Sequence, residues 1–224
     1  MSTSDQANGA ARRADPMVAP DVIPTSARDH GFGTPAEDWA EARWGTGVEP
    51  PGALRDDAGP RMVIRTFGFV DLCGSTAFLE SEGPRDAMET VTEFRQLVRD
   101  VSARRGVRVA KWLGDGAMLV GVQSGPVVAT AVEICGRARG WRLQARAGVA
   151  VSAALLFDGD DYIGRGANFA SRICDAAHPT ETLCDVDCEA ALPSWVQVRE
   201  RRRVEVRGMG EHEVLVLAPA DIEG

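Results

Sequence analysis

Between residues 62 and 151 the hydrophobic pattern switches repeatedly between a two-residue period and a helical period. Four segments have the pattern of strands: 62–71, 107–113, 117–122 and 143–151. Two segments between them have the pattern of helices: 84–105 and 126–139. The resulting order, β-α-β-β-α-β, restricts the chain to a small number of folds because consecutive elements tend to pack next to each other.

That order is typical of a ferredoxin-like α+β core, in which an antiparallel sheet carries helices on one face. A third helix is predicted over 166–177, and short strands around one helical turn over 182–218 form a C-terminal αβ extension. In this topology the first strand ends beside the start of the third strand. Asp71 and Asp115 are therefore predicted to be neighbours in space.

Residues 1–60 have a different composition, rich in Pro, Gly, Ala, Ser and Asp, with one candidate short helix around 36–44. They are predicted to form a flexible, mostly disordered leader in front of a single domain over 61–220. The leader holds 10 of the 33 acidic residues and 5 of the 25 basic ones, so it carries most of the net charge of -8. An acidic balance argues against a general nucleic-acid-binding protein.

The longest largely apolar run, over 147–157, is shorter than the roughly 18 to 20 residues that a membrane span requires. The N-terminus has no basic segment followed by an apolar one, which is the pattern of an export signal. We therefore expect a cytoplasmic protein without a membrane span.

Two carboxylates at adjacent strand ends, set among glycines, suit a pair of hard divalent cations that hold a triphosphate. Asp71 is followed by a turn of mostly small residues whose free amide groups are predicted to bind phosphate oxygens: Leu72, Cys73, Gly74, Ser75 and Thr76. Alternatively, Asp71 caps the following helix and Asp115 is only the centre of a Gly-Asp-Gly turn. The predicted convergence of the two aspartates favours the metal site.

Three segments resemble, in order and in spacing, the signature segments of the class III nucleotidyl cyclases. They are Phe-Val-Asp-Leu-Cys-Gly-Ser-Thr at 69–76, Lys-Trp-Leu-Gly-Asp-Gly at 111–116 and Asn-Phe-Ala-Ser-Arg at 168–172. The resemblance covers about 62–218 and implies the fold of the class III cyclase homology domain. It also implies an activity, in which the 3′-hydroxyl of a nucleoside triphosphate attacks the α-phosphate and pyrophosphate leaves.

The resemblance assigns a role to each of six residues. Asp71 and Asp115 resemble the family's ligands for two Mg²⁺ or Mn²⁺ ions. Asn168 resembles the residue that orients the ribose, and Arg172 resembles the one that stabilises charge on the transferring phosphate. These last two are four residues apart, so a helix places them on one face, where they can contact neighbouring parts of one ligand.

Lys111 and Asp161 occupy the positions that contact the purine in the family, and Lys111 is the only lysine among the 25 basic residues. Adenine offers an acceptor at N1 and a donor at its amino group, which complement a lysine that only donates and a carboxylate that only accepts. Guanine presents the reverse pattern. ATP is therefore the predicted substrate, although Asp160 adjoins Asp161 and a shift of one residue would exchange their roles.

The resemblance further implies a homodimer with composite active sites. The metal aspartates of a site come from one subunit, and the purine and ribose contacts come from its partner. A catalytically silent nucleotide-sensing module with the same fold is the alternative, and the family residue types at all six positions favour an enzyme. A polymerase-like or diguanylate cyclase palm shares the β-α-β-β-α-β core, but the chain lacks a Gly-Gly-Asp/Glu-Glu-Phe hairpin.

Overall fold

The computed structural model describes residues 60–157 and 161–220. The predicted leader therefore lies outside the described residues apart from Pro60, and so do its candidate helix at 36–44 and Asp160. Within the two described ranges, no helix combines the length and the apolar character needed to cross a membrane.

The described residues form eight strands and four α-helices. The strands are β1 (Arg61–Leu72), β2 (Arg108–Leu113), β3 (Gly116–Gly121), β4 (Ala145–Phe157), β5 (Asp161–Ile163), β6 (Thr182–Asp185), β7 (Val196–Val206) and β8 (Gly210–Pro219). The α-helices are α1 (Ser75–Glu82), α2 (Pro84–Arg104), α3 (Ser124–Arg137) and α4 (Arg165–Ala176). Short 3-10 turns follow α3 and β6, at 138–140 and 186–191. The predicted α+β class is confirmed, and the six predicted core elements occur in the predicted order, with α1 and β5 as additional elements.

All strands belong to one sheet in the order β2-β3-β1-β4-β6-β8-β7, with β5 paired to β4. The pairs formed by β1 with β3, β1 with β4 and β2 with β3 are antiparallel, as the ferredoxin-like core predicts. The extension departs from a purely antiparallel sheet, because β4 and β6 run parallel. A parallel pair needs a crossover between its strands, and α4 lies in that connection.

Helices cover both faces of the sheet: the two helices of the six-element core lie on one face, as predicted, and α4, whose face was not predicted, lies on the other. Helices α2 and α3 pack on one face, where Val127 lies 3.0 Å from the position of a Cβ atom on Gly68. Helix α4 packs on the other face, and a Cβ atom on Gly148 would lie 2.3 Å from the carbonyl oxygen of Ala170. The six predicted core elements therefore have helices on one face, and the third helix closes the opposite one.

Helix α1 is absent from the predicted elements, and β4 is longer than predicted. None of the side chains of α1 is buried, so the helix has no strong apolar stripe by which its pattern could be recognised. Gly83, with φ 88°, separates α1 from α2, and Pro84 occupies the first turn of α2. Proline suits the first turn of a helix because it lacks the amide hydrogen that later positions must donate.

Candidate active site

The carboxylates of Asp71 and Asp115 are brought together at one end of β1. Asp71 is the last residue but one of β1, and across the sheet it faces Gly116 of β3 and Arg146 of β4. Asp115 lies in the turn immediately before Gly116. A Cβ atom on Gly116 would lie 3.0 Å from Asp71 Oδ1, so the Asp71 carboxylate extends across the strand towards this turn. The two aspartates are neighbours, as the element order predicts.

The Asp71 carboxyl group is harder to ionise than an exposed one. Burial raises the pKa of Asp71 above its ordinary value, and the negative charge of Asp115 raises it further. A hydrogen bond from Arg146 lowers the pKa of Asp71 but does not cancel the other two effects. A pair of carboxylates with incompletely compensated charge has the chemistry of a hard cation site.

Arg146 is a component of the site that the sequence analysis does not identify. Its Nη2 and Nε atoms donate to Asp71 Oδ2 over 3.0 and 3.3 Å. Its Nη1 atom donates to the carbonyl oxygen of Asp175, near the end of α4, over 2.7 Å. Arg146 could have been identified from the pairing of strands. β1 and β4 are antiparallel neighbours, and their register places Arg146 opposite Asp71.

The turn after Asp71 only partly matches the predicted phosphate-binding loop. Leu72 is still part of β1, and the amide of Cys73 donates to the carbonyl oxygen of Gln144 over 2.8 Å. The prediction of a free amide at Cys73 is therefore wrong, because the edge of the sheet extends one residue further than expected.

Beyond Cys73 the chain enters α1. Gly74 precedes the helix with φ 78°, a left-handed conformation that favours glycine. No side chain caps the start of α1, so the amide groups of its first turn, which include those of Ser75 and Thr76, are without a side-chain acceptor there. The hydroxyl of Ser75 donates to Asp115 Oδ2, which connects the start of α1 to the second aspartate.

Lys111 and Asp161, to which the family resemblance assigns the purine contacts, form an ion pair in which Lys111 Nζ lies 2.5 Å from Asp161 Oδ1. A register shift between Val109 and Lys111 interrupts the pairing of β2 with β3, and such bulges redirect side chains. Asp161 begins β5, opposite Phe157 of β4. The side chains of the pair are 49% and 35% exposed, so both remain accessible to a ligand.

Asn168 and Arg172 lie on α4, one helical turn apart. Arg172 is 5% exposed, and its Nη1 atom is buried without a hydrogen-bond partner among the described residues. A Cβ atom on Gly208, in the turn between β7 and β8, would lie 2.9 Å from the same Nη1 atom. Close approach of the turn to the guanidinium therefore depends on a glycine at this position.

Asp71 and Lys111 lie on the side of the sheet covered by α4, the helix that carries Asn168 and Arg172. Phe69, two residues before Asp71, packs in the apolar cluster that contains Phe169 of α4. Met118 is paired with Phe69 on one side and with Lys111 on the other, so all three side chains share that face. The structure therefore places Asp71 and Lys111 on the same side of the sheet as α4, and the ion pair brings Asp161 to Lys111.

Comparison with known sequences gives relatives without an established function. No family model matches the sequence. Uncharacterized proteins of Mycobacterium tuberculosis and Mycobacterium bovis are 35% identical over 131 residues, which are 58% of this chain and 34% of those proteins. The chain thus spans about a third of the length of the curated relatives that it matches.

Comparison with solved structures decides the fold. The guanylyl cyclase Cya2 superimposes with a TM-score of 0.64 at 16% identity, over 75% of this chain and 98% of that one. The adenylyl cyclase CyaB from P. aeruginosa gives 0.62 at 20% identity, over 73% of this chain and 97% of that one. The chain has the class III cyclase fold. Because both adenylyl and guanylyl cyclases share it, the cyclase fold does not by itself identify the base.

The Asp71 and Asp115 carboxylates have the chemistry of a site for a cation that also binds phosphate oxygens. No group of three or more His, Cys, Asp or Glu side chains in the described part of the chain is arranged to hold a metal ion. Mg²⁺ is commonly held by one or two carboxylates together with phosphate oxygens and water, and Asp71 and Asp115 supply such a pair. The fit therefore requires a bound triphosphate to complete the coordination.

Proposed function

We propose that this protein is an adenylate cyclase that converts ATP to 3′,5′-cyclic AMP and pyrophosphate. The observation that carries the proposal is the contact between Lys111 and Asp161 in a chain with the cyclase fold. The ammonium group only donates hydrogen bonds and the carboxylate only accepts them, which matches N1 and the amino group of adenine. Without a nucleotide, Lys111 and Asp161 bind each other. A bound adenine would replace this one contact with two hydrogen bonds, one to each side chain.

Asp71 and Asp115 would hold Mg²⁺ or Mn²⁺, two ions per site, together with the triphosphate. When bound, the metal ions lower the pKa of the attacking 3′-hydroxyl and neutralise the departing pyrophosphate. Ser75 orients Asp115 by donating to its Oδ2 atom. Arg172 Nη1 has no hydrogen-bond partner among the described residues and would donate to the phosphate as charge develops there. Asn168 would orient the ribose.

The proposal includes a homodimer with composite active sites. Lys111 and Asp115 lie four residues apart around one hairpin turn, and in the cyclases that the sequence resembles these two positions serve different sites. A two-fold arrangement would then form two equivalent sites, with the metal aspartates of one chain facing the base and ribose residues of its partner. A cytoplasmic location, where ATP is abundant, is part of the same proposal.

Incubation of the purified full chain with Mn²⁺ and either ATP or GTP, followed by chromatography for cyclic nucleotides, tests the activity. We expect cyclic AMP from the native chain and none from Asp71→Ala. The matched control is Asp100→Ala, because Asp100 is an exposed carboxylate that bonds only Gln96 among the contacts described. Absence of product from either nucleotide, at concentrations where the chain is dimeric, would reject the enzyme.

Base selection is tested by the double variant Lys111→Glu, Asp161→Cys. Use of ATP should fall by at least about 100-fold, because polar groups that a mismatched base covers are left without hydrogen-bond partners. Arg85→Glu, which reverses the charge of an exposed side chain on α2, should keep the preference for ATP. Unchanged ATP activity in the double variant would refute the assignment of the base contacts.

Mixing two inactive variants tests the composite site. Asp71→Ala and Arg172→Ala damage different halves of a composite site, so a mixed dimer retains one intact site. The mixture should regain up to about a quarter of native activity when subunits pair randomly. Failure to regain activity, with mixed dimers detected by native mass spectrometry, would show that each chain carries its own site.

A catalytically silent nucleotide-sensing module remains the second candidate, because Arg146 places a cation of the chain itself on Asp71. If this contact persisted with the nucleotide bound, it would exclude a metal ion from Oδ2. Tight nucleotide binding measured by calorimetry, combined with no cyclic product, would identify that function.

A further inference from the structure

The turn that carries Asp115 has little in its own sequence to define its shape. Asp115 lies between Gly114 and Gly116, and Gly114 has φ 72°, in the left-handed region. A Cβ atom on Gly114 would have no atom of the described residues within 4 Å, so no packing on that side holds the residue in place. Glycine adopts positive and negative φ angles about equally readily, so the residue between two glycines can change direction. The direction of Asp115 therefore depends on contacts from outside the turn.

Two helices supply such contacts, one to the backbone of the turn and one to the carboxylate. Arg95 of α2 donates from Nη2 to the carbonyl oxygen of Gly114 over 2.8 Å. This oxygen belongs to the planar peptide group that joins Gly114 to Asp115, so the bond fixes the orientation of that group. Ser75 of α1 donates to Asp115 Oδ2. Asp115 is thus held both through its backbone and through its side chain.

The guanidinium group of Arg95 is itself held against Trp112 of β2. Its Cζ atom lies 5.2 Å from the centre of the indole ring, and Cζ of Arg99, one helical turn further along α2, lies 4.9 Å from the same ring. Both distances are within the range of cation–π attraction. Trp112 packs against the apolar cluster beneath α2 and α3, whereas Lys111, its neighbour in the strand, faces the other side of the sheet. Arg95 therefore contacts the turn from the face that does not carry Lys111.

Stability alone does not account for the position of Arg95. Its Nε atom is buried and has no hydrogen-bond partner among the described residues. An unpaired buried donor costs stability, and a more exposed rotamer would avoid that cost by letting water bind Nε. What the observed position supplies is a hydrogen bond from a charged donor, which is stronger than one between neutral groups, to the turn directly before Asp115.

We propose that Arg95 is a positioning residue that orients Asp115 towards Asp71 and thereby sets the affinity of the site for its divalent cation. The inference rests on the proposed function of the site. Replacing a residue that orients a metal ligand typically lowers metal affinity by about 10- to 100-fold. Lys111 of the same hairpin is bound to Asp161 on the other face of the sheet, so the contacts to the base are expected to be independent of Arg95.

Amide hydrogen exchange in the full chain, without nucleotide or metal, tests the contact with the turn. It is followed by mass spectrometry of peptides that cover 112–117. In Arg95→Met, which keeps an apolar side chain on Trp112 but donates nothing, the turn should exchange about tenfold faster. The matched control is Arg99→Met, because Arg99 lies against the same ring and its described contacts include no hydrogen bond to the turn. This control should exchange as the native chain does.

Mn²⁺ binding tests the effect on the metal site. Bound Mn²⁺ is measured by electron paramagnetic resonance on the full chain with α,β-methylene-ATP, which binds but cannot be cyclised. The dissociation constant of Mn²⁺ should rise about tenfold in Arg95→Met and stay within about twofold of native in Arg99→Met. Arg95→Lys keeps a charged donor, so it should recover most of the affinity. The preference for α,β-methylene-ATP over its guanine counterpart, measured by calorimetry, should be unchanged in all three variants.

The outcomes separate this inference from the proposed function. Native exchange of the turn or native Mn²⁺ affinity in folded Arg95→Met overturns the inference and leaves the proposed cyclase intact, and so does an equal loss of affinity in Arg99→Met. A matching loss of base preference in Arg95→Met also overturns it, because the whole hairpin would then be disturbed. If circular dichroism shows that Arg95→Met does not fold, Arg95→Gln, whose side chain is shorter, replaces it with the same expected results. A native chain that binds no Mn²⁺ with the nucleotide overturns both the inference and the proposed function.

Discussion

Two carboxylates of the sheet, Asp71 and Glu181, each bind an arginine, and yet their pKa values change in opposite directions. Asp71 lies at the end of β1 beside Arg146, and its pKa is raised. Glu181 lies just before β6 beside Arg202, and its pKa is lowered. The side chains of both pairs are between 19% and 29% exposed, so the opposite directions do not come from a large difference in solvent access.

The difference comes from the number and direction of the contacts. Burial acts to raise the pKa of Glu181, but hydrogen bonds from Arg202 to both oxygens and from the amide of His178 outweigh it. Burial also raises the pKa of Asp71, Asp115 adds to it, and Arg146 contacts one oxygen only. Glu181 is therefore a satisfied structural ion pair, whereas Asp71 keeps uncompensated charge, which is typical of functional sites.

The largest difference between the two carboxylates is expected in catalysis. Asp71→Asn should lower kcat of the proposed cyclase by about 1,000-fold, because it removes an interaction with the metal ions worth several kcal/mol in the transition state. Glu181→Gln should change kcat less than threefold. Initial rates of cyclic AMP formation with Mn²⁺ measure both, and comparable losses in the two variants would contradict the distinction drawn between the sites.

The effects on stability should be reversed: the change at Glu181 should destabilise the fold, and the change at Asp71 should not. Glu181→Gln should lower the free energy of unfolding by about 1–2 kcal/mol, since it removes a charged hydrogen-bonding group from a partly exposed pair with Arg202. Asp71→Asn should raise the midpoint of unfolding, because the folded state no longer holds an ionised carboxylate next to Asp115. Urea denaturation followed by circular dichroism at pH 7 measures both, and a destabilised Asp71→Asn would show that Arg146 compensates the charge fully.

Gly116 keeps the open side of Asp71 accessible, and the chain offers a matched control for it. A Cβ atom at 116 would lie 2.9 Å from the carbonyl oxygen of Val70 and 3.0 Å from Asp71 Oδ1. Gly116→Ala should cost about 1 kcal/mol of stability and lower Mn²⁺ affinity in the nucleotide complex. Gly136→Ala, in α3 with nothing within 4 Å of the added atom, should be neutral or slightly stabilising. Equal effects in both variants would show that position 116 is not crowded.

Local pattern was sufficient to predict most of the fold. The alternation of strand and helix periods determined the element order and placed Asp71 beside Asp115. The short helix α1 was missed because it buries no side chain, and its residues therefore give no hydrophobic signal. The crossover that puts α4 on the opposite face depends on the parallel pairing of β4 with β6, which local periodicity does not encode.

The candidate site was predicted less completely than the fold. Spacing and resemblance identified Lys111 and Asp161, which form a close ion pair in the structure. Arg146 carries no motif, and it becomes recognisable only when the register of two strands distant in sequence is known. The amide of Cys73 was expected to be free because a turn was assumed to begin directly after Asp71, whereas it donates to Gln144. Both features depend on which strands pair and in which register, and local sequence does not specify that pairing.

Acid titration should show the smallest and most specific difference between the two carboxylates. The pKa of Glu181 in the folded state lies below its unfolded value, so its stabilising contribution is present above about pH 4.3 and is lost as the pH falls through the folded pKa. The pKa of Asp71 in the folded state lies above its unfolded value, so ionised Asp71 lowers stability above that folded pKa. This penalty disappears as the pH falls below about 3.9.

Across a series of urea denaturations from pH 7 to pH 3.5, the two variants should therefore approach the native chain from opposite sides. Asp71→Asn begins more stable than the native chain at pH 7 and loses its advantage on acidification. Glu181→Gln begins less stable, and its deficit shrinks as the pH falls below about 4.3 towards the folded pKa of Glu181. Differences that stay constant with pH would mean that neither carboxylate changes its proton affinity on folding, and the electrostatic distinction between a structural and a functional ion pair would fail.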